Sequence, residues 1–221
     1  MDSRLRTIMD FVPIGSRVAD IGTDHGYLAI ELIKSKIAIS VIASDKNAGP
    51  LEAARKNIKA AEVEGDIDLR LGDGLQSINT GEVNVICIAG MGGALICEIL
   101  TASPEVTAQV DKIILQPMNA VEKVRQWVSL NGWNIEDEDL AEVDGIIYEI
   151  LCISHSLQVN STKKMNSPLL PKFIQSKIDK LKRVLKAMNQ STRARTSDKY
   201  FEIQEQIRKL EIELTSIEGN M

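Results

Sequence analysis

Residues 17–33 constrain the fold more than any other stretch of the chain. RVADIG (17–22) is a short apolar run that stops on an acid and a glycine, and LAIELI (28–33) restarts as a helix after a five-residue turn. A buried strand that breaks on glycine and passes straight into a helix N-terminus opens a βαβ crossover, the unit of a parallel sheet. At such a turn backbone can lie against a ligand, and helix N–H groups point outward. A nucleotide-type cofactor site at this first crossover is therefore expected.

The rest of the first two thirds repeats the alternation. Residues 5–12 predict a short amphipathic helix stopped by Pro13 and Gly15, and residues 39–45 a second strand ending on Asp45. Leu51, Ala54, Ile58 and Ala61 keep helical spacing behind Pro50. Residues 67–71 predict a third strand before Gly72-Asp73-Gly74, residues 83–89 a fourth before Gly90-Met91-Gly92-Gly93, and residues 112–115 a fifth ended by Gln116-Pro117. Val121, Val124, Trp127 and Val128 mark a helix face, and residues 133–141 and 146–154 form two strands joined through Asp144-Gly145. The expected architecture is α/β: a Rossmann-like, seven-stranded sheet of the class I methyltransferase type with its last strand antiparallel. A dehydrogenase sheet has similar spacing, but its G-x-G-x-x-G fingerprint is absent.

The tail differs. Two prolines, Pro168 and Pro171, introduce Ile174, Ile178, Leu181, Leu185 and Met188 at spacings of 4, 3, 4 and 3, and a second series runs from Tyr200 through Ile203, Ile207, Leu210 and Leu214 to Ile217. Packing accounts for these heptad seams, and the break between them lets the helices fold back as a coiled-coil-like hairpin. Two domains are expected, residues 1–157 with the sheet and 158–221 with the helices. Residues 1–162 carry 13 Lys/Arg against 24 Asp/Glu, whereas residues 163–199 carry 11 against 2. An acidic body joined to a basic segment suits a polyanionic partner, with Lys172, Lys177, Lys180, Arg183 and Lys186 as candidate RNA-phosphate contacts. Cys87, Cys97 and Cys152 lie in apolar stretches without metal-ligand spacing, so reduced buried thiols and no metal site are expected. With no membrane-length apolar run and no leader, the expected location is cytoplasmic.

Candidate chemistry gathers at the ends of the strands. Asp20-x-Gly22-x-Asp24-x-Gly26 has the spacing of the first motif of S-adenosylmethionine-dependent methyltransferases, with Asp24 where many carry a middle glycine. Its glycines let backbone approach the cofactor, and its carboxylates can receive an amino group. Asp45 is placed to accept ribose hydroxyls, and Asp73 an adenine amine, with Gly74 leaving room for the ring. His25 suits a positioning or turn role better than that of a base; His155 has no companion. After the fourth strand, an Asp/Asn-Pro-Pro-aromatic motif for amine methylation is absent. Glycines stand there instead, which suits a flat base whose ring nitrogen brings its own lone pair.

ADIGTDHGYL (19–28), IAGMGG (88–93), Leu115-Gln116-Pro117, and Gly145 with Tyr148-Glu149 together resemble the TrmK family of bacterial tRNA (adenine-N1)-methyltransferases. The resemblance covers about residues 5–152. It implies methylation of N1 of adenine 22 in tRNA, with S-adenosylmethionine as donor. By motif it implies a cofactor group of Gly22, Asp24, His25, Gly26, Asp45, Asp73 and Gly74. It further implies a target-base wall of Gly90, Met91, Gly92, Gly93, Gln116 and Pro117. The chain departs from the family pattern at Ala29, often proline, and at Met118, often asparagine; Asn119 or Gln116 would then substitute for the latter. A methyltransferase of small molecules or other RNA, with an oligomerising helical tail, is the alternative.

Overall fold

The computed structural model describes residues 2–156 and 166–219. Two compact units are present, Met1–Met165 and Asn166–Met221. The expected boundary at 157/158 lies outside the described residues.

In the first unit the order is α1 (Ser3–Phe11), β1 (Ser16–Ile21), α2 (Tyr27–Lys34), β2 (Ala38–Asp45), α3 (Ala48–Ala60) and β3 (Ile67–Leu71). A 3-10 turn (Gly74–Ser77), β4 (Val85–Gly92), α4 (Gly93–Ala102), the short α5 (Pro104–Thr107) and β5 (Lys112–Asn119) follow. The unit closes with α6 (Val121–Leu130), β6 (Asn134–Val143) and β7 (Ile146–Ser154). The seven strands form one sheet in the order β3-β2-β1-β4-β5-β7-β6. β1 to β5 pair in parallel, while β7 runs antiparallel to both its neighbours. The order reverses between β1 and β4, the switch point at which open α/β sheets hold ligands beyond their carboxyl ends.

Strand alternation builds two cores, one on each face of the sheet. Val18, Val41, Val85 and Ile114 pack with Ile8, Leu32 and Ala54 of α1, α2 and α3. Their neighbours Ala19, Ile42, Ile86 and Ile113 face Ile96, Leu100 and Val124 of α4 and α6. At the β6–β7 turn, Asp144 and Gly145 both take positive φ, 50° and 78°; this is the geometry a two-residue hairpin demands. Cys87 and Cys152 are buried, whereas Cys97 is only half-buried, and none of the three is in a disulfide. Burial pushes the Cys87 thiol well above its usual pKa, so it stays an inert apolar filler.

The expected ends of β4 and β5 fall short of the observed ones. Both strands continue through their glycines and through Pro117 because two irregularities absorb the misfit: Ala89 pairs with Gln116, Met91 with Pro117 and Gly92 with Asn119, leaving Gly90 and Met118 as extra residues. A bulge is the place in a sheet where a proline and a positive-φ glycine are tolerated.

The second unit contains α7 (Leu170–Met188), α8 (Thr192–Arg195) and α9 (Asp198–Glu218). Ser191 and Ser197 cap the last two helices through their side chains. Lys182 pairs with Glu211 at 2.7 Å and the Tyr200 hydroxyl donates to Asn189 Oδ1 at 3.0 Å, so α7 and α9 run antiparallel. Ile174, Ile178, Ile203 and Ile207 of the seams are buried. No helix of the described residues is long and apolar enough to cross a membrane, and they contain no group of three or more residues fit to hold a metal.

Candidate functional site

A cavity of about 670 Å³ lies across the carboxyl ends of β3, β2, β1 and β4. Gly22, Asp24, His25, Asp45, Asp73, Gly74, Gly90 and Met91 line it, with Asp2, Arg4, Asp20, Tyr27, Lys46, Leu95, Ile99 and Met118 among their neighbours. Residues from Asp2 to Met118 are thus brought to one opening, most of them by strand order and Asp2 and Arg4 by α1.

The β1 turn is built for close approach. Gly22 has φ +74°, and a Cβ there would come within 2.2 Å of Met91 Cε. Asp24 takes φ +52°, a left-handed conformation that aspartate tolerates better than most residues. This explains why a glycine also suits the position. Beneath the turn Asp20 is buried, 4% exposed, and accepts a 2.6 Å hydrogen bond from Thr23 Oγ1. Burial pushes its carboxyl up to about 6, with Asp45's charge adding to the rise and the Thr23 bond opposing it. Gly26 does not line the cavity. It begins α2 with φ +73°, and a Cβ there would meet Ala54 at 3.2 Å, so this glycine lets α2 close on α3.

Asp45 ends β2 half-buried and accepts the Asn47 N–H at 2.9 Å, which fixes its carboxylate in a tight turn. Asp73 is exposed beside Gly74, whose Cβ position is crowded by Ile99 at 3.0 Å. The loop carrying both is braced from β3: Arg70 donates to the Ser77 carbonyl at 2.7 Å and forks onto Glu82 at 2.7 and 3.0 Å, while Glu82 also accepts the Asn79 N–H. The Arg70 guanidinium holds the Glu82 carboxyl down to about 2.

On the other side Gly90 bulges with φ +74°, and its N–H is received by Gln116 Oε1 at 3.0 Å. Gln116 is fully buried and Pro117 is buried too, and neither lines the cavity. The expectation of a wall formed by these two is therefore corrected. A buried amide acceptor is needed to satisfy the N–H that the bulge frees, and Gln116 meets that need. Gly92 lies off the cavity against Asn119, 3.3 Å from Oδ1 at its Cβ position. Gly93 packs on backbone, and a Cβ there would lie 2.6 Å from the Ala120 carbonyl oxygen. Met118, 45% exposed, takes the cavity position instead. Glu149 is buried and paired with Arg125 at 2.9 Å, Arg125 also meeting Glu138; the ion triad ties α6 to the β6–β7 hairpin. Sequence reasoning missed Arg4, which α1 delivers to the cavity and which donates to Gln116 Oε1 at 3.3 Å. No local signal marks it, because the approach depends on α1 packing against the sheet.

On α7, Lys172, Lys180, Arg183 and Lys186 are exposed and span roughly 120° of helix opposite the apolar seam at about 100° per residue. Lys177 is half-buried at the border, its Nζ 4.2 Å over the Phe173 ring.

Comparison with known proteins identifies this arrangement. A family model described as a methyltransferase domain matches residues 1–151. The tRNA (adenine(22)-N(1))-methyltransferase of Bacillus subtilis is 36% identical over 151 residues, 68% of this chain and 63% of that protein; the match therefore spans less than two thirds of that relative. Sp1610 of Streptococcus pneumoniae, solved in complex with S-adenosyl-L-methionine, is 31% identical with a TM-score of 0.83, covering 97% of this chain and 100% of the other. The TrmK of M. capricolum, solved with S-adenosyl-homocysteine, is 25% identical with a TM-score of 0.80, covering 98% and 99%. The chain belongs to the TrmK family.

The family's adenosyl donor can be tested against this cavity on the residues themselves. Gly22 leaves the β1 turn open where only the far end of a flexible methionine intrudes. Acidic side chains stand at three successive strand ends, and Arg4, which lines the β4 side, keeps a buried Nε with no hydrogen-bond partner among the described residues. The donor set is that of a nucleoside with a charged tail, and the cavity fits it.

Proposed function

We propose that this chain transfers a methyl group from S-adenosylmethionine to N1 of adenine 22 in tRNA. The observation that carries the reading is the single cavity in which Asp45 and Asp73 stand beside the Gly22 turn and the Gly90 bulge. In it Asp45 receives ribose hydroxyls, Asp73 the adenine amine, and Asp20 and Asp24 face the cationic tail, with Gly22 and Gly74 setting the close approaches. Gly26 contributes by fixing α2, and His25 positions the turn through its neighbour Asp24, 3.6 Å away.

When bound, the donor supplies a methyl group on a positively charged sulfur. Adenine N1 brings its own lone pair, so the protein is required to position and not to deprotonate. Gly90 and Met91 offer a flat approach beside that methyl group. Gln116, Pro117 and Gly92 hold the bulge from behind, and Asn119 abuts Gly92. In a folded tRNA the target edge must first be exposed, so local opening precedes transfer. Lys172, Lys180, Arg183 and Lys186, with Lys177 at the border, contact phosphates without reading bases.

The test is methylation of bulk tRNA followed by nucleoside analysis. Formation of 1-methyladenosine, absent from a tRNA carrying guanosine at position 22, is the expected result; any other methylated nucleoside overturns the substrate assignment. Neutralising Lys180, Arg183 and Lys186 together is expected to weaken tRNA binding and flatten its salt dependence by roughly 2 in log–log slope. Donor binding should be unchanged.

A further inference from the structure

Methyl transfer and phosphate contact leave the outer face of α9 without a role. Phe201 and Ile212 are each 57% exposed there, whereas the other two phenylalanines, Phe11 and Phe173, are buried. Single apolar residues on a surface need no explanation, but these two are ordered. At about 100° per residue, Phe201, Glu205, Arg208 and Ile212 fall within roughly 60° of one another. They lie on the side of the helix opposite the buried Ile203 and Ile207. Their spacings of 4, 3 and 4 are those of a second heptad seam, one that faces away from α7.

The ends of this stripe are apolar and its middle is charged. Arg208 donates to the Glu205 carboxylate at 2.9 Å from Nε and 2.8 Å from Nη2, so opposite charges sit side by side at the centre. At one end the Tyr200 ring meets Phe201 edge-on at 5.9 Å and steadies it. At the other, Ile212 borders a shallow hollow of about 480 Å³ that Arg208, Glu211, Thr215 and Ser216 complete. Knob and hollow are roughly 16 Å apart at 1.5 Å per residue.

That pattern is its own complement when reversed. Turned end for end about the helix midpoint, Phe201 meets Ile212, Glu205 meets Arg208, Gln204 meets Lys209 and Asp198 meets Thr215. No like charges face each other. Laid in parallel, the same stripe would set Glu205 on Glu205 and Arg208 on Arg208, which opposes pairing. A surface complementary to itself under a two-fold rotation makes an isologous contact.

We propose that two copies of this chain associate through α9, antiparallel about a two-fold axis between Gln206 and Ile207, each seating its Phe201 in the hollow at the partner's Ile212. The charged centre fixes direction and register, as a polar seam position does in a coiled coil, and the apolar ends supply the attraction. Because α9 meets α7 with its other side, the exposed cations of α7 stay uncovered in both copies.

Sedimentation of the full chain without RNA, from roughly 1 μM to 1 mM, tests this over the range in which a small interface with few anchors associates. The wild type is expected to shift from the mass of one chain to that of two as concentration rises. Glu205→Lys and Arg208→Glu each set like charges against each other across the pair, and each should weaken association at least about tenfold. Mixing the two variants in equal amounts restores opposite signs in the heterodimer and should return the two-chain species. Ile212→Asp should stay monomeric throughout, with helical circular dichroism unchanged because the position is exposed. A wild type that stays monomeric to the top of the range overturns the inference. So does a dimer insensitive to both charge variants, or a mixture that fails to recover association. A monomeric wild type whose tRNA binding is weakened by Ile212→Asp would assign the face to RNA and equally overturn it.

Discussion

The two sides of the cavity are made differently. On the β1–β2–β3 side each functional group sits in a turn whose geometry is written in a few adjacent residues: Gly22 and Asp24 at positive φ, Asp45 locked by Asn47, Asp73 before Gly74. On the β4–β5 side the shape depends on residues far apart in sequence: Gln116 receiving Gly90, Gly93 against Ala120, Arg4 arriving from α1. The first side can change its side chains and keep its fold. The second cannot, because its backbone is the wall.

The sharpest test of that contrast is a pair of glycines. Gly93→Ala drives a Cβ to 2.6 Å from the Ala120 carbonyl and 2.8 Å from that of Asn119, and backbone cannot step aside as a side chain does. A loss of about 3 kcal/mol in denaturant unfolding is expected, with activity falling alongside. Gly22→Ala meets only the mobile end of Met91. Its cost is the positive φ, about 1–2 kcal/mol, and the fold should survive with donor affinity lost. Equal destabilisation by the two would erase the distinction.

Asp20→Asn probes the buried charge on the first side. With its folded pKa raised to about 6 above the unfolded value, the carboxyl binds a proton more tightly when folded. Its contribution to stability is therefore greatest in acid and is lost as pH rises from about 4 to 6, by about 3 kcal/mol. The amide removes that dependence. Thermal melts should show the variant more stable than wild type at pH 7.5, with the gap closing near pH 4, while affinity for the donor falls. A constant gap across this range would contradict the buried charge.

Gln116→Leu probes the second side and should cost about 1–3 kcal/mol by leaving the Gly90 N–H unpaired. Turnover is expected to fall more than affinity for 5′-methylthioadenosine. The smallest effect is expected at Arg70→Ala. Its fork to Glu82 is partly exposed, so stability should drop by less than about 1 kcal/mol. The loss should show as a few-fold weaker donor affinity through the Asp73 loop.

The same division governs what was legible in the sequence. Strand and helix alternation, the acids at the ends of β2 and β3, and the Asp144-Gly145 hairpin follow from local periodicity and turn chemistry. Gln116-Pro117 and the glycines of 90–93 also look like strand ends locally, yet both strands continue because paired bulges absorb them. Gly26 looks like a ligand glycine but serves helix packing, a distinction only the position of Ala54 makes. Arg4 and the Arg70–Glu82 brace carry no motif, since tertiary contacts give them their roles. Short α5 and α8, of four residues each, lack the periodicity by which longer helices are found.

The central claim is that the acids of the first side hold an adenosyl donor, and calorimetric titration of S-adenosylhomocysteine into wild-type protein and Asp45→Ala tests it most directly. The account predicts saturable binding to wild type and at least about tenfold weaker binding to the variant, the loss expected for hydrogen bonds to a charged acceptor. Absence of heat with wild type, or equal affinity for both proteins, would contradict it.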